Sequence, residues 1–505
     1  MCLIYLYYFY TYKIYRMLPS EYTKWLRHKT NSNLLASDRE LGLNVSRRHS
    51  NISKIPLPWT PGMVGLFSKN FTSFILRVFA GTGVAGISGE NGQALNAQMD
   101  RPRGLAFDRT KENLYIGVSP GNGGGRILKV NLNTGIITRV AGDPSKALAL
   151  TGTGLITNVV ATTTSVTYTL HRDTPSAPGP DPSKHSFEEG QSVRITDIPA
   201  PNQNLNITGN ITGITDTTIT LARSGAAVSS VAVRGSVGTL AVNAGIVNPY
   251  NVVFDSSGNM YFANQYYWNS CVLKVDTDGY ISRYAGSGEQ ANAAGNGVHR
   301  LDTSVRIGSP RGIAIDSSNN IYIAETDTAT VRMIKASDNI ISVIVGAFNV
   351  KATIAANNYP TDDASGTSVR LRQPTALAVD STSSNLYISM ASDGITQYNG
   401  IYRYNIASGK IYVILQSLPG YNGDGIPAIN ARLVDGGGRG IDIDNLGNIY
   451  LLEQSTAIRK IDSNGIITTY TDNRSYDLVW HLAVRSATEI YACNSRNQVV
   501  VYRSV

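Results

Sequence analysis

The chain has 505 residues, 48 glycines, three cysteines and a formal charge of +8. Three cysteines exclude a disulfide framework, and the length allows either a large core or several domains. Residues 1–70 hold ten Lys and Arg against three Asp and Glu, whereas residues 71–505 are nearly neutral, so the charge gives no support for nucleic-acid binding by the body of the chain.

Residues 1–70 are predicted to form a basic, flexible N-terminal arm. The arm begins with MCLIYLYYFYTYKIYRM, whose apolar run before Lys13 is too short to span a bilayer. It lacks the basic n-region and the small-residue cleavage site of a secretory signal. Translation from Met17 instead of Met1 is one alternative, and a surface-seeking anchor is another. Nucleic acid is a candidate partner of the arm. A membrane partner is not expected, and the sequence favours an intracellular or virion-associated location over secretion.

Residues 71–143 contain one strand phrase and then a unit of four. ILRVFAG begins at Ile75, and GLAFD, NLYIG, RILKVN and IITRVAG follow, separated by turns rich in Gly, Asn and Asp. Four short antiparallel strands in a repeated unit are typical of a β-propeller blade. These residues are therefore predicted to supply a closing strand and blade 1.

Residues 144–245 interrupt the repeat with a Thr-, Ser- and Val-rich segment that contains the linker TPSAPGPDPSKHS. Its strand candidates are SVTYTLHR, SVRITDI, NLNITGNITGI and TTITLA, which indicate a small β-domain, either a barrel or a sandwich. The order of the last three is similar to small modules of bacteriophage and other virion structural proteins. Because the insert lies between two blades, we expect it on the face that carries the long glycine-rich loops.

Residues 246–505 repeat the blade pattern five more times. The copies begin PYNVVFD, PRGIAID, PTALAVD, GRGIDID and HLAVR, and the last has only three strands before the chain ends. The strand at Ile75 can supply the missing fourth, which would also remove an exposed sheet edge. The predicted fold is all-β: a six-bladed β-propeller closed by an N-terminal strand, with a small β-domain inserted between blades 1 and 2.

The recurring features resemble those of the NHL-repeat family of β-propellers. Pro-Arg-Gly, an apolar strand ending in Asp, Asn-Leu/Ile-Tyr and Ala-Gly return in order, and the loops AGISGENGQALNAQMDRPRG and PGYNGDGIPAINARLVDGGGRG are copies of each other. The resemblance implies a propeller that binds proteins and, in some members, RNA. Related six-bladed propellers also include metal-dependent lyases and lactonases.

The sequence offers little support for catalysis. Only His481 among the six histidines falls in a first strand, so no transition-metal site is expected. The aspartates that end the first strands are interpreted as turn residues whose carboxylates accept backbone N–H groups. We predict no catalytic residues, no metal and no cofactor.

The repeated arginines give the candidate binding site. One position at the entrance of the innermost strand holds arginine in three blades, and other residues take it elsewhere, with Trp480 or His481 in the last. We call this set the axial mouth: Arg103, Tyr250, Arg311, Thr375, Arg439 and His481. The site would bind an anion or an acidic partner; the alternative is that each arginine only holds a neighbouring loop.

The sequence therefore predicts a non-enzymatic scaffold that binds proteins through the loop face of the propeller, with a virion or assembly role as one form of it. An RNA-binding NHL propeller is the first alternative, and a metal-dependent lyase or lactonase is the second. The oligomeric state is not indicated.

Overall fold

Six antiparallel sheets, arranged so that each first strand lines a common axis, form the propeller. The structure is a computed structural model and describes residues 74–120, 124–146, 153–171, 186–265, 270–288, 294–347, 360–390, 399–417, 420–433, 440–453, 457–472 and 478–504. The predicted N-terminal arm, residues 1–70, lies outside these ranges. None of the helices within them is long or apolar enough to cross a bilayer.

The first three blades follow the predicted phrases closely. Blade 1 consists of Pro102–Phe107, Asn113–Val118, Arg126–Asn131 and Ile137–Ala141. Blade 2 consists of Pro249–Phe254, Met260–Asn264, Cys271–Val275 and Ile281–Ala285. Blade 3 consists of Pro310–Ile315, Ile321–Glu325, Thr330–Ile334 and Ile340–Val345, with the short edge strand Val298–His299.

The last three blades complete the ring. Blade 4 consists of Pro374–Val379, Asn385–Met390, Asn399–Asn405 and Lys410–Ser417, with the edge strand Ala364–Ser365. Blade 5 consists of Ile441–Ile443, Ile449–Glu453, Ala457–Ile461 and Ile466–Asp472, with the edge strand Ile426–Pro427. Blade 6 consists of Leu478–Ser486, Glu489–Asn494, Val499–Ser504 and the N-terminal strand Phe74–Ala80.

The predicted closure is confirmed. Phe74–Ala80 pairs antiparallel with the last strand of the chain, with Leu76 opposite Tyr502 and Val78 opposite Val500. Both ends of the propeller thus lie in one sheet, and the outer edge of Val499–Ser504 is covered.

The interpretation of the repeated aspartates as turn residues is also confirmed. Asp316 shows the pattern: one carboxylate oxygen accepts the N–H groups of Ser318 and Asn320, and the other accepts the Asn320 side chain at 2.8 Å and the Tyr322 hydroxyl at 2.8 Å. The same arrangement recurs at Asp255 and Asp444. These side chains fasten the turn between the first two strands of a blade.

The loops between blades contain short 3-10 helices that cover the gaps between sheets. In the described residues these are Ala94–Asn96, Ala241–Asn243, Gly366–Ser368 and Ala428–Asn430, and the barrel has a fifth at Gln203–Leu205. In each of the four interblade helices the first residue is buried, and a buried apolar side chain follows five residues later, as with Ala428 and Leu433. The close-packed apolar contact fixes each loop against its blade.

The insert forms a closed six-stranded barrel with its own apolar core. Its strands are Thr153–Ala161, Ser165–Leu170, Ser192–Thr196, Thr208–Ile214, Thr218–Ala222 and Val228–Gly238. The first and last of these were not among the predicted strand phrases. They pair with each other and so join the two ends of the insert.

Polar contacts fix the barrel to the outer rim of blade 2. Arg194 of the barrel pairs with Asp276 at 2.7 Å and with Asp278 at 2.9 Å. Asp197 of the barrel pairs with the buried Arg300, at 2.6 Å, in the loop that leads to blade 3. The insert therefore lies beside the outermost strand of blade 2.

Candidate functional site

The first strands of all six blades enclose an axial cavity of about 320 Å³. Its lining extends from Asn251 and His481 at one end to the turn residues Asp108 and Asp444 at the other. The axis is the place where the predicted binding residues should meet, because each of them lies on a first strand.

Strand register places the predicted residues. In each blade, one residue of the first strand pairs with the tyrosine of the Asn-Leu/Ile-Tyr or equivalent phrase. Three residues before that position lie Arg103, Tyr250, Arg311 and Thr375, which therefore share one level of the propeller. In blade 6 Ala483 pairs with Tyr491, so Trp480 is the residue at that level. His481 lies one residue further along, and Arg439 is outside the described residues.

Arg103 joins three consecutive blades at the axial mouth. Its Nη1 donates to the Tyr250 hydroxyl at 2.7 Å, and its guanidinium carbon lies 4.6 Å from the centre of the Trp480 ring. Stacking of this kind stabilises a cation on an aromatic face. The Nε atoms of Arg103 and Arg311 are buried and have no hydrogen-bond partner among the described residues. The mouth therefore contains the Arg103 cation between the rings of Tyr250 and Trp480.

The side chains of Thr375 and Tyr250 mainly make contacts within the propeller. The Thr375 hydroxyl donates to the Ser389 carbonyl of its own blade at 3.4 Å, and both side chains are buried. Of the mouth residues, the structure brings Arg103 and Tyr250 together and adds Trp480 to them.

His481 lies at a position where most blades have a small residue. Its counterparts are Gly104, Asn251, Gly312, Ala376 and Gly440. At Gly104 a Cβ would lie 2.1 Å from the Tyr250 carbonyl oxygen, which excludes a larger residue there. His481 is 7% exposed, it lines the axial cavity, and neither ring nitrogen has a described partner. Burial lowers the pKa of His481 to about 4, so the ring is neutral at neutral pH.

Asp442 is the cavity residue that sequence reasoning missed. It pairs with Tyr450 at the register position occupied elsewhere by Ala or Val. Its Oδ2 accepts the N–H of Val484 in the next blade at 2.7 Å. Desolvation raises the pKa of Asp442 to about 6, against the opposing effect of the Lys111 charge. The available signal was the acid at the third position of GIDID, where the other copies have Ala or Val, as in GLAFD and NVVFD.

The raised pKa predicts a pH-dependent stability. Because the folded protein binds a proton at Asp442 more tightly than the unfolded chain does, the contribution of Asp442 to the stability should increase as the pH falls from 7 to 5. Relative to an Asp442→Asn variant, the wild type should gain about 1 kcal/mol of unfolding free energy over that interval. Urea unfolding of both proteins at the two pH values measures this difference. If the unfolding free energy changed with pH in the same way in both proteins, Asp442 would not have a raised pKa.

A buried arginine holds the loop that precedes blade 1. Arg126 pairs with Glu90 at 2.6 Å and donates to the carbonyls of Gly86 at 2.9 Å and Ile87 at 3.3 Å. Charge-assisted bonds to two carbonyls and a carboxylate fix the backbone of this loop from beneath.

The loop before blade 5 has the same construction. The buried Arg459 contacts Asp424 at 3.0 Å and the Gly423 carbonyl at 3.1 Å, and its guanidinium carbon lies 5.1 Å from the centre of the Tyr421 ring. Asp424 also accepts the N–H of Thr469 at 2.9 Å, so it is a structural acid of the loop.

We call residues 82–101 and 420–433 the two anchored loops. Each of them exposes two large apolar side chains to solvent, at matching positions. Ile87 and Leu95 are 58% and 54% exposed, and Tyr421 and Ile429 are 55% and 50% exposed. Scattered apolar residues are ordinary on a surface, but the same pair on two rigid loops is a repeated arrangement. Within the described residues, no three His, Cys, Asp or Glu side chains form a group that could hold a metal ion.

The sequence of the last blades matches a known domain family. Residues 290–412 and 415–494 match the family model of the Teneurin NHL domain. No curated protein sequence has significant similarity to the chain.

Solved structures with similar folds are distant in sequence. An auxiliary nutrient binding protein from Bacteroides thetaiotaomicron is 9% identical, with 85% of this chain and 76% of that chain covered and a TM-score of 0.44. Virginiamycin B lyase from Staphylococcus aureus is 14% identical, with 86% and 100% covered and a TM-score of 0.39. A chain of the nidogen/laminin complex is 11% identical, with 68% and 86% covered and a TM-score of 0.33. Similarity at this level carries no argument about function.

Proposed function

The chain is a six-bladed β-propeller of the NHL-repeat type, and from that premise we propose that it is a non-enzymatic scaffold that binds a protein partner through its interblade loops. NHL propellers commonly serve as protein-binding platforms. A fold alone does not assign a function, so the proposal depends on the surface of this chain.

The observation that carries the proposal is the repeated apolar pair on the two anchored loops. Ile87 with Leu95, and Tyr421 with Ile429, are large side chains whose backbone is already fixed by Arg126 and Arg459. Preorganised apolar and aromatic groups lose little conformational entropy on binding, and groups of this kind dominate the energetics of many protein interfaces.

The axial mouth adds positively charged groups to the apolar ones. Arg103 is held in place by Trp480 and Tyr250, and its Nε has no described partner. An acidic side chain of the partner would be the natural counter-charge for Arg103 and Arg311. The proposal includes no catalytic step, and assembly into a larger structure, such as a virion, is the form of scaffold that we favour.

The test uses the full chain purified gently from its source, with a photo-crosslinking residue at position 87 or 421 to identify the bound protein. Serine at both Ile87 and Leu95, or at both Tyr421 and Ile429, should weaken binding of that partner by roughly 30-fold. Serine at Val160 and Ile214, which are exposed on the barrel, is the matched control and should leave binding unchanged.

Two results would exclude the proposal. One is unchanged binding by both loop variants. The other is recovery of RNA instead of protein, with an affinity that falls steeply with salt and does not depend on the loop residues.

A further inference from the structure

The axial cavity has the size and lining of a small-molecule site. About 320 Å³ is within the lower range of cavities that hold small ligands. Much of the wall is aliphatic, as at Leu105, Ile313 and Leu377, and the cavity also contacts the polar side chains of Asn251, Asp442 and His481. The polar groups decide which ligand could bind.

Each polar side-chain atom of Asn251 already has a partner in the protein. Its amide donates to the Ile313 carbonyl at 3.2 Å, and its side-chain oxygen accepts the N–H of Val252 at 2.9 Å. It therefore places no strong demand on a ligand.

His481 is not satisfied. The side chain is more than nine-tenths buried; the backbone of Leu482 interacts with the ring, but neither ring nitrogen makes a hydrogen bond of good geometry among the described residues. A buried polar group without a partner costs free energy, and such groups are rare in folded proteins. The neutral ring offers one lone pair and one N–H to whatever occupies the cavity.

Asp442 also has unused capacity as an acceptor. Its Oδ1 accepts only the N–H of Ile443, and its Oδ2 only that of Val484, among the described hydrogen bonds. A carboxylate oxygen can accept two hydrogen bonds, so each has one lone pair left. The neighbouring Asp444 differs, because each of its oxygens already accepts two hydrogen bonds within its turn.

The charges along the cavity favour a cation. Among the described residues that line it, three carry a carboxylate (Asp108, Asp442 and Asp444) and two carry a positive charge (Arg109 and Lys111). The Lys111 ammonium donates to the backbone carbonyls of Arg485 at 2.9 Å and Val484 at 3.4 Å. A positive group beside Asp442 would thus add attraction where the local dielectric constant is low.

We propose that the axial cavity binds a small primary ammonium ion with a short apolar body. The ammonium N–H groups donate to the carboxylate of Asp442 and to the free lone pair of His481, while the alkyl part contacts the aliphatic wall. This site is separate from the interblade loops, so it stands independently of the protein-binding function.

Three probes with the same alkyl body separate the possible head groups: n-butylammonium, n-butanol and butyrate. Isothermal titration of the full chain at neutral pH should show one site for n-butylammonium, at least tenfold weaker binding of n-butanol and no binding of butyrate. Absence of n-butylammonium binding at millimolar concentration, or equal binding of n-butanol, would overturn the proposal.

The repeats provide the variants. Asp442→Ala installs the residue found at the same register in blades 1, 3, 4 and 6, at Ala106, Ala314, Ala378 and Ala483, so the fold should tolerate it. This change should weaken n-butylammonium binding at least tenfold, and His481→Ala, which copies Ala376, should weaken it severalfold. Asp338→Ala, in an exposed hairpin turn of blade 3, is the control and should have no effect. Binding that is unaffected by Asp442→Ala would contradict the assigned site.

Discussion

Replacing Arg332 by methionine is expected to lower the free energy of unfolding by roughly 3–5 kcal/mol. Arg332 and Glu325 are fully buried and form an ion pair inside blade 3. Arg332 also donates to the carbonyl of Arg306 at 2.6 Å and of Ala294 at 3.0 Å, so it holds the loop before its blade. Methionine would leave the Glu325 charge buried without its counter-charge, although the Gly308 N–H and the Thr328 hydroxyl would still donate to it. Chemical unfolding of the two proteins measures the effect.

Two further variants separate the buried charge from simple loss of packing. The double change Glu325→Gln with Arg332→Met removes both charges, and it should be less destabilising than the arginine change alone. Arg503→Met breaks a pair with Glu489 in which the arginine is 53% exposed, and it should cost no more than about 1 kcal/mol. Equal losses for the Arg332 and Arg503 variants would contradict the role assigned to the buried pair.

Deleting residues 1–81 is expected to abolish cooperative folding of the propeller. The deletion removes Phe74–Ala80, the outer strand of blade 6, and uncovers the strand Val499–Ser504. Val500 and Tyr502 are fully buried in the closed ring. An open apolar edge strand pairs readily with other chains, so the product should aggregate. Thermal unfolding and size-exclusion chromatography are the measurements.

Deleting only residues 1–71 is the matched control, since it leaves the closing strand intact. That protein should be as monodisperse as the full chain, and the two should unfold at nearly the same temperature. A deletion of residues 1–81 that still unfolds cooperatively would show that the ring does not need this strand.

The blades and their closure could be predicted from the sequence because each repeat carries the same local signals. The Asp at the end of a first strand and the following Asn and Tyr form one hydrogen-bonded turn, as at Asp316, Asn320 and Tyr322. The strand at Ile75 was recognisable because it copies the fourth strand of blade 1. Signals of this kind depend on residues close in sequence.

The barrel strands Thr153–Ala161 and Val228–Gly238 were missed for the opposite reason. The second is rich in Ser and Gly, with no clean alternation of apolar residues, and its partner lies about 75 residues earlier in the chain. Long-range pairing of this kind leaves little trace in a local pattern.

The candidate site was predicted in part. The axial mouth position could be recognised in the repeats because it holds arginine in three blades. In blade 6 the phrase VWHLAVR left open whether Trp480 or His481 takes this position, because the glycine that marks the register is missing. Burial of Arg126 and Arg459 was also not predictable, since a basic residue in a strand is more often exposed. Their acidic partners, Glu90 and Asp424, lie more than 30 residues away.

Hydrogen exchange of the chain in its native complex, compared with the chain alone, tests the central claim most directly. The account predicts slower exchange in residues 82–101 and 420–433, the two anchored loops, when the protein partner is bound. Slower exchange confined to the turns at residues 108–112 and 444–448, with both loops unchanged, would contradict it.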